Sequence, residues 1–317
     1  MLIVAFGGPS GPADIRPFLA RVLRGRRVTP ERVEEVAHHY ERFGGVSPIT
    51  AFTMAQARGL ETRLAAAGSP LPVHVGMRNW HPLLADTLKT MHGAGIRRAI
   101  GVIAAAHHSY SSCQQYRENV AEARGALRSA TGGDIDVTYV GSWFDHPLFV
   151  EVNARHVREA RDRLPADVRG AARLVCTAHS IPLPMAEASR YREQLRESAR
   201  LVAGQAGMAD WTVVYQSRSG RPGDPWLEPD ICAYLRAERG LPAAVLCPIG
   251  FVCDHIEVLY DLDHEAAGVC REIGLPMTRA AAVNADPLFL DMLTDVVLRT
   301  VRRHASGRPL PIVGRAG

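Results

Sequence analysis

Residues 174–178 read LVCTA, and they run straight into His179-Ser180-Ile181-Pro182. Five uncharged residues, stopped by a turn that closes on proline, are too few for a helix and suit a strand buried on both faces. Strands of that kind belong to parallel sheets wrapped by helices. The rest of the chain repeats the pattern. Comparable runs stand at 2–6, 73–76, 99–105, 137–141, 212–216, 243–248 and 277–279. Helix-length segments lie between most of them, at 12–23, 53–67, 82–93, 112–131, 148–164 and 187–207. The alternation predicts an α/β protein of two doubly wound, Rossmann-like halves, each a four-stranded parallel sheet flanked by helices, with the active-site cleft between them. The seam falls near 141–147. The expected domains are therefore residues 1–141 and 142–317, packed tightly because no linker separates them. The tail at 302–317, basic with Gly and Pro, is expected to be partly loose and to pack back on the first domain. Such folds bind ligands beyond the carboxyl ends of their strands, which is where His179 stands.

Composition narrows the field. The chain has 317 residues and a net charge of +4, and Lys89 is the single lysine among 37 basic residues. That arginine bias weakens any nucleic-acid reading, and no basic run or basic-aromatic repeat supports one. No apolar run reaches the length of a membrane-spanning helix. The start, MLIVAFGGPSG, reads as a buried strand rather than a signal peptide, so the cytoplasm is the expected place. Six scattered cysteines form no C-x-x-C pair. They read as small hydrophobes, with no spacing that argues for disulfides or an iron–sulfur cluster.

A second segment carries chemistry: 250–266, GFVCDHIEVLYDLDHEA. Read as an α-helix from Asp254, it sets Asp254, Glu257, Asp261 and Glu265 in one narrow arc, because steps of three and four residues share a face. Val258, Leu259, Leu262 and Ala266 form the neighbouring apolar stripe. Like charges at that spacing repel by roughly 0.2–0.5 kcal/mol a pair, so the row asks for a divalent cation that accepts oxygen ligands. A solvated acidic face is the alternative. The segment also follows a strand end, so it opens toward the cleft that His179 faces. An imidazole near neutrality moves protons or binds metal.

Other strand ends are more ambiguous. The loop from Tyr215-Gln216-Ser217 to Pro229 is rigidly turned, and Trp226 in it is either a packing anchor or one wall of an aromatic ligand site. Phe6-Gly7-Gly8-Pro9 matches neither common phosphate-binding pattern. Arg24-Gly25-Arg26-Arg27 suits the carboxylates of an anionic ligand, or is a solvated basic turn. Of His107 and His108, at most one can face a cleft if the backbone is extended.

In series, these blocks resemble the ferrochelatase family. The carrying residues are Gly7-Gly8-Pro9, Gly44-Gly45-Val46-Ser47-Pro48, Met77-Arg78-Asn79-Trp80-His81-Pro82, Ala178-His179-Ser180-Ile181-Pro182, Gln216-Ser217 with Asp224-Pro225-Trp226-Leu227, and Gly250-Phe251-Val252 through Asp254-His255-Ile256-Glu257-Val258-Leu259-Tyr260. The likeness covers almost the whole chain in order. It is nearest to the soluble, monomeric coproporphyrin ferrochelatases of Gram-positive bacteria. It implies insertion of Fe²⁺ into a porphyrin in haem biosynthesis, with coproporphyrin III as substrate and protoporphyrin IX, another tetrapyrrole chelation or porphyrin carriage as alternatives. It implies catalytic roles for His179 and Glu257, and metal contacts at His179, Glu257, Asp261 and Glu265. Phe6, Arg24, Ser47, Arg78 and Tyr116 fall where that family meets the porphyrin. Phe6 is a departure: some relatives carry a tyrosine there, and a phenyl ring cannot ligate iron. Iron is substrate in this picture, no cofactor is permanently bound, Mg²⁺ is a regulatory candidate, and the protein is a monomer.

Overall fold

Strand β1 (Leu2–Ala5) lies between β2 (His74–Met77) and β3 (Arg98–Ile103), parallel to both, and β4 (Asp136–Tyr139) extends the sheet beyond β3. The second sheet repeats the winding with β5 (Arg173–His179) between β6 (Trp211–Gln216) and β7 (Ala244–Cys247), and β8 (Met277–Arg279) beyond β7. The orders are β2-β1-β3-β4 and β6-β5-β7-β8. These come from a computed structural model that describes residues 1–25, 28–221 and 223–305. In each sheet the winding reverses beside the first strand, so a crevice opens where β1 and β3, and β5 and β7, end. β1 is wholly buried, as is β5 from Leu174 to Ala178, which is why both read as uninterrupted apolar runs.

Helices α1 (Ile15–Val22) and α2 (Pro30–Arg42) precede α3 (Ile49–Ala66); α4 (Leu84–Gly93) and α5 (Gln115–Thr131) complete the first half's own helices. The second half holds α6 (Pro147–Asp162), α7 (Leu183–Glu187), α8 (Tyr191–Ala206), α9 (Ile231–Ala237), α10 (Ile256–Val258), α11 (Ala267–Ile273) and α12 (Pro287–Ala305). α2 went unread in the sequence because only Ala37 and Tyr40 are buried along it; its signal is Thr29-Pro30, where the Thr29 hydroxyl accepts from the Arg32 amide.

Two helices cross over. α6 leaves β4 but packs on α8 and β7, while α12 leaves β8 and packs on α3. Phe289, Leu293 and Val297 of α12 share one apolar cluster with Ile3, Val75 and Met77. Each such buried side chain contributes about 1.5–3 kcal/mol, so the last helix completes the first half's core. The segments that lead into α6 and α12 are alike in sequence, Phe144-Asp145-His146-Pro147-Leu148-Phe149 and Asn284-Ala285-Asp286-Pro287-Leu288-Phe289. Arg302 to Ala305 belong to α12; Arg26 and Arg27 of the expected basic turn, Pro222 of the turned loop before Pro229, and 306–317 of the expected tail lie outside the described residues. Among the described residues no helix is long and apolar enough to cross a membrane.

Candidate active site

The turn that leaves β5 is tied down on three sides. The Ser180 amide donates to Gln216 O at 2.8 Å, the Ser180 hydroxyl to Leu227 O at 2.8 Å, and the Tyr191 hydroxyl to His179 O at 3.0 Å. Leu227 N donates to Ile181 O at 3.0 Å and Leu183 N to Pro225 O at 2.9 Å. Trp226 is thus a packing clamp: it bridges Pro182, and its indole lies where a Cβ on Gly220 would stand, 2.0 Å from Nε1. The His179 ring is partly exposed, and its Nδ1 is bonded to the Ser180 carbonyl. A carbonyl only accepts, so Nδ1 carries the hydrogen. Nε2 of the neutral ring then presents a bare lone pair to the cleft.

Facing it is the segment after β7. The expected helix from Asp254 does not form. His255 is extended at φ −152°, ψ 176°, so the helix starts at Ile256 and Asp254 falls on the far side of the break. Its carboxylate is buried and accepts from Arg279 Nη1 at 2.8 Å and Asn284 Nδ2 at 2.7 Å. Asp254 is a structural knot and drops out of the acid row. Beyond α10, residues Leu259–Ala266 are wound with the wider i→i+5 bonding. Val258, Leu262 and Ala266 still bury one side. Asp261 feels both Glu257 and Glu265, so the remaining acids do form a row.

Glu257 Oε2 lies 3.9 Å from His179 Nε2 and 3.6 Å from His255 Nε2. Both gaps exceed a hydrogen bond. Two donor atoms each about 2.1 Å from one first-row cation lie up to about 4.2 Å apart, so the His179–Glu257 gap fits a shared ion. His255, which the sequence reading left out, has its pKa pushed down by burial, and its Nδ1 has no partner. The Ser217 hydroxyl and Gln216 Nε2 (3.2 Å) donate to Asp261 Oδ2. Burial nevertheless raises Asp261 to about 7, with help from the charges of Glu257 and Glu265. Glu265 stands at the outer end, raised chiefly by burial and by Asp230, with Arg32 opposing.

The first half supplies the other wall. Phe6 meets Phe18 edge-on at 6.3 Å and joins an apolar cluster with Trp80, Tyr40, Ile256 and Leu259. Tyr40 and Tyr116 are both near enough to Glu257 to feel its charge, though burial is what mainly raises their pKa values. The Arg78 guanidinium stands 5.8 Å from the Tyr116 ring centre and donates to Gln115 Oε1 at 2.8 Å. These side chains gather with Glu257. Ser47 does so less directly: it is buried, and its amide bonds Pro9 O at 2.9 Å under the Gly7-Gly8 turn. Arg24 is exposed just past the end of α1. His107 points away, buried against Ser198 of α8. Among the described residues no three His, Cys, Asp or Glu side chains converge as a metal cage. Two facing donors beside an apolar wall suit transfer of an ion to a flat ligand rather than its storage.

The doubly wound pair of halves, with a histidine–glutamate pair at one switch point, shares its fold with solved proteins, a named chelatase among them. The sirohydrochlorin chelatase SirB from Bacillus subtilis subspecies spizizenii, in complex with cobalt, matches with a TM-score of 0.57 over 96% of each chain at 11% identity. CbiX, the terminal enzyme of sirohaem biosynthesis in denitrifying bacteria, matches at 0.53 over 94% of this chain and 97% of its own, at 14% identity. The Ferrochelatase family model matches residues 1–301, and the chain belongs to the ferrochelatase family. The coproporphyrin III ferrochelatase of Mycobacterium avium is 47% identical over 98% of this chain and 92% of its own. That of Nocardia farcinica is 44% identical over 97% and 88%. The ferrochelatase of Rhodopirellula baltica is 45% identical over 93% and 84%.

Proposed function

We propose that the chain inserts Fe²⁺ into coproporphyrin III, as a cytoplasmic monomer with iron as substrate. The carrying observation is the bare Nε2 of His179 facing Glu257 at 3.9 Å beneath the apolar Phe6 wall. The names of the relatives at 43–47% identity support the substrate. The sirohydrochlorin chelatases share only the fold.

The reaction exchanges two pyrrole N–H protons for one cation. A flat ring hides its nitrogen lone pairs, so binding energy from its carboxylates is used to hold it in a bent form. Arg78, Arg24 and Ser47 are assigned to that grip, and Phe6 and Tyr116 to the faces of the ring. The single lone pair of His179 Nε2 contacts the incoming iron first and, once the iron has passed to the ring nitrogens, takes a pyrrole proton. Glu257 is the second donor and takes the second proton. Asp261, poised near 7, passes protons or ions outward to Glu265.

Anaerobic insertion assays with the full chain test this. Coproporphyrin III should be metallated with a higher kcat/KM than protoporphyrin IX. The reverse preference would shift the assignment to the protoporphyrin substrate. Tight porphyrin binding without turnover would make the protein a carrier.

A further inference from the structure

Among the polar contacts that join the halves, which include the His108 amide donating to Gln194 Oε1 at 2.6 Å, two are related as the halves are. In the first, Gln56 of α3 donates through Nε2 to Asn284 O at 2.7 Å and stands 3.4 Å from Val252 O and 3.2 Å from Cys253 Sγ. In the second, Ser198 of α8 donates through its hydroxyl to Phe144 O at 2.7 Å and contacts His107 Nε2 at 2.9 Å. Asn284 and Phe144 hold the same place, three residues before Pro287 and Pro147. Val252 and Cys253 follow β7, and His107 follows β3, the third strand of each half. Each tie therefore fastens a helix of one half to the other half's loop beyond its third strand, and to a crossover.

Protons in the second tie are assignable. The one hydroxyl hydrogen of Ser198 goes to Phe144 O, so His107 Nε2 must donate to Ser198. His107 Nδ1 is then bare, and it is buried without a partner. Gln56, His107 and Ser198 are all buried, where a lost partner is costly.

The loops they hold lead to different walls. From Val252 and Cys253 the chain runs through Asp254 to His255 and Glu257. From His107 it runs through Ser109, which forms a reciprocal cap with Ser112, to Tyr116. We infer that the ties are positioning devices with divided tasks: Gln56 sets the place of Glu257 and so the chemical step, and the His107–Ser198 pair sets the Tyr116 wall and so porphyrin binding. The assignment rests on the roles given to Glu257 and Tyr116 above.

Steady-state insertion kinetics and porphyrin binding by fluorescence quenching decide it. Gln56→Leu should lower kcat about tenfold with KM within about twofold, since small misplacements of reacting groups are costly. Ser198→Ala and His107→Phe should raise KM and the porphyrin Kd about tenfold with kcat within about twofold. His107→Gln keeps a donor and should restore both values. Ser198→Ala removes one oxygen and serves where His107→Phe does not fold. Equal changes of kcat and KM in both ties, or lowered Tm with unchanged kinetics, would overturn the division. A wild-type chain that binds porphyrin but inserts no iron overturns the catalytic reading instead, and the binding arm still decides the second tie.

Discussion

The chain leaves its two central strands by turns of the same frame and opposite chemistry: Phe6-Gly7-Gly8-Pro9 after β1, and His179-Ser180-Ile181-Pro182 after β5. In the first, Gly7 sits at φ +82°, and a Cβ on Gly8 would stand 2.6 Å from Ser47 Cβ, so glycine permits a close backbone approach there. Its leading side chain, Phe6, packs on Phe18 and offers only an apolar face. In the second, hydrogen bonds replace glycines, and the leading side chain is an oriented base. On the function proposed above, the doubled fold divides its labour: one exit would supply a surface for an aromatic ring, and the other the groups that exchange its protons.

The largest expected effect breaks or keeps that division. His179→Ala should lower kcat by about 10²–10⁴, the range for loss of a general base, while porphyrin Kd stays within about threefold. Phe6→Ala should do the opposite, weakening porphyrin binding about tenfold through lost aromatic contact. Stopped-flow insertion and fluorescence titration separate the two. If Phe6→Ala abolished turnover at unchanged affinity, the halves would not be divided as described.

A smaller effect lies in the pH dependence of stability, measured by urea denaturation in chelator-treated buffer. Asp261 is raised from 3.8 to about 7, so between those values the folded chain holds a proton that the unfolded chain has lost. Stability from this group is present below pH 3.8 and is lost as pH rises through 7. Asp261→Asn should therefore gain between about 1 and 4 kcal/mol at pH 8 and less than about 1 kcal/mol at pH 4, the lower end reflecting partial exposure. His107 acts in the opposite sense. Burial lowers it to about 3, so the unfolded chain binds the extra proton below pH 6.5. Its contribution is present above 6.5 and is lost as pH falls toward 3, and His107→Gln should flatten that acid limb. The acidic group of the second half and the histidine of the first thus tilt the curve in opposite directions.

Much of this frame was legible in the sequence, for a physical reason. Strands buried on both faces leave uninterrupted apolar runs, and all eight fall within two residues of where such runs were read. The placement of His179 was legible because it ends β5, and that of Glu257 and Asp261 because a step of four residues keeps them on one helical face in the segment after β7. Asp254 was misread because helical spacing continues back through it; nothing in its neighbours announces the extended backbone of His255. The wide winding of Leu259–Ala266 was hidden, since the apolar stripe looks the same in either helix. The ties were out of reach: Gln56 meets Val252 across 196 residues of chain. The likeness of residues 144–149 and 284–289 was the one available sign that α6 and α12 play matching parts.

The smallest expected effect concerns Arg24, and it sharpens the comparison within the binding half. Arg24 is exposed, whereas Arg78 is part-buried over Tyr116 and bonded to Gln115. Exposed charges gain little in water and are screened by salt, while part-buried ones are screened less. Arg24→Ala should weaken coproporphyrin III binding only about two- to fivefold at low salt, and not measurably at high salt. Its tetramethyl ester, which lacks the carboxylates, should bind wild type and variant alike. Arg78→Ala should cost more and keep most of its effect in salt. An Arg24→Ala loss larger than that of Arg78→Ala, persisting in salt, would mean that the end of α1 closes over the substrate, and that Arg24 rather than Arg78 leads the grip.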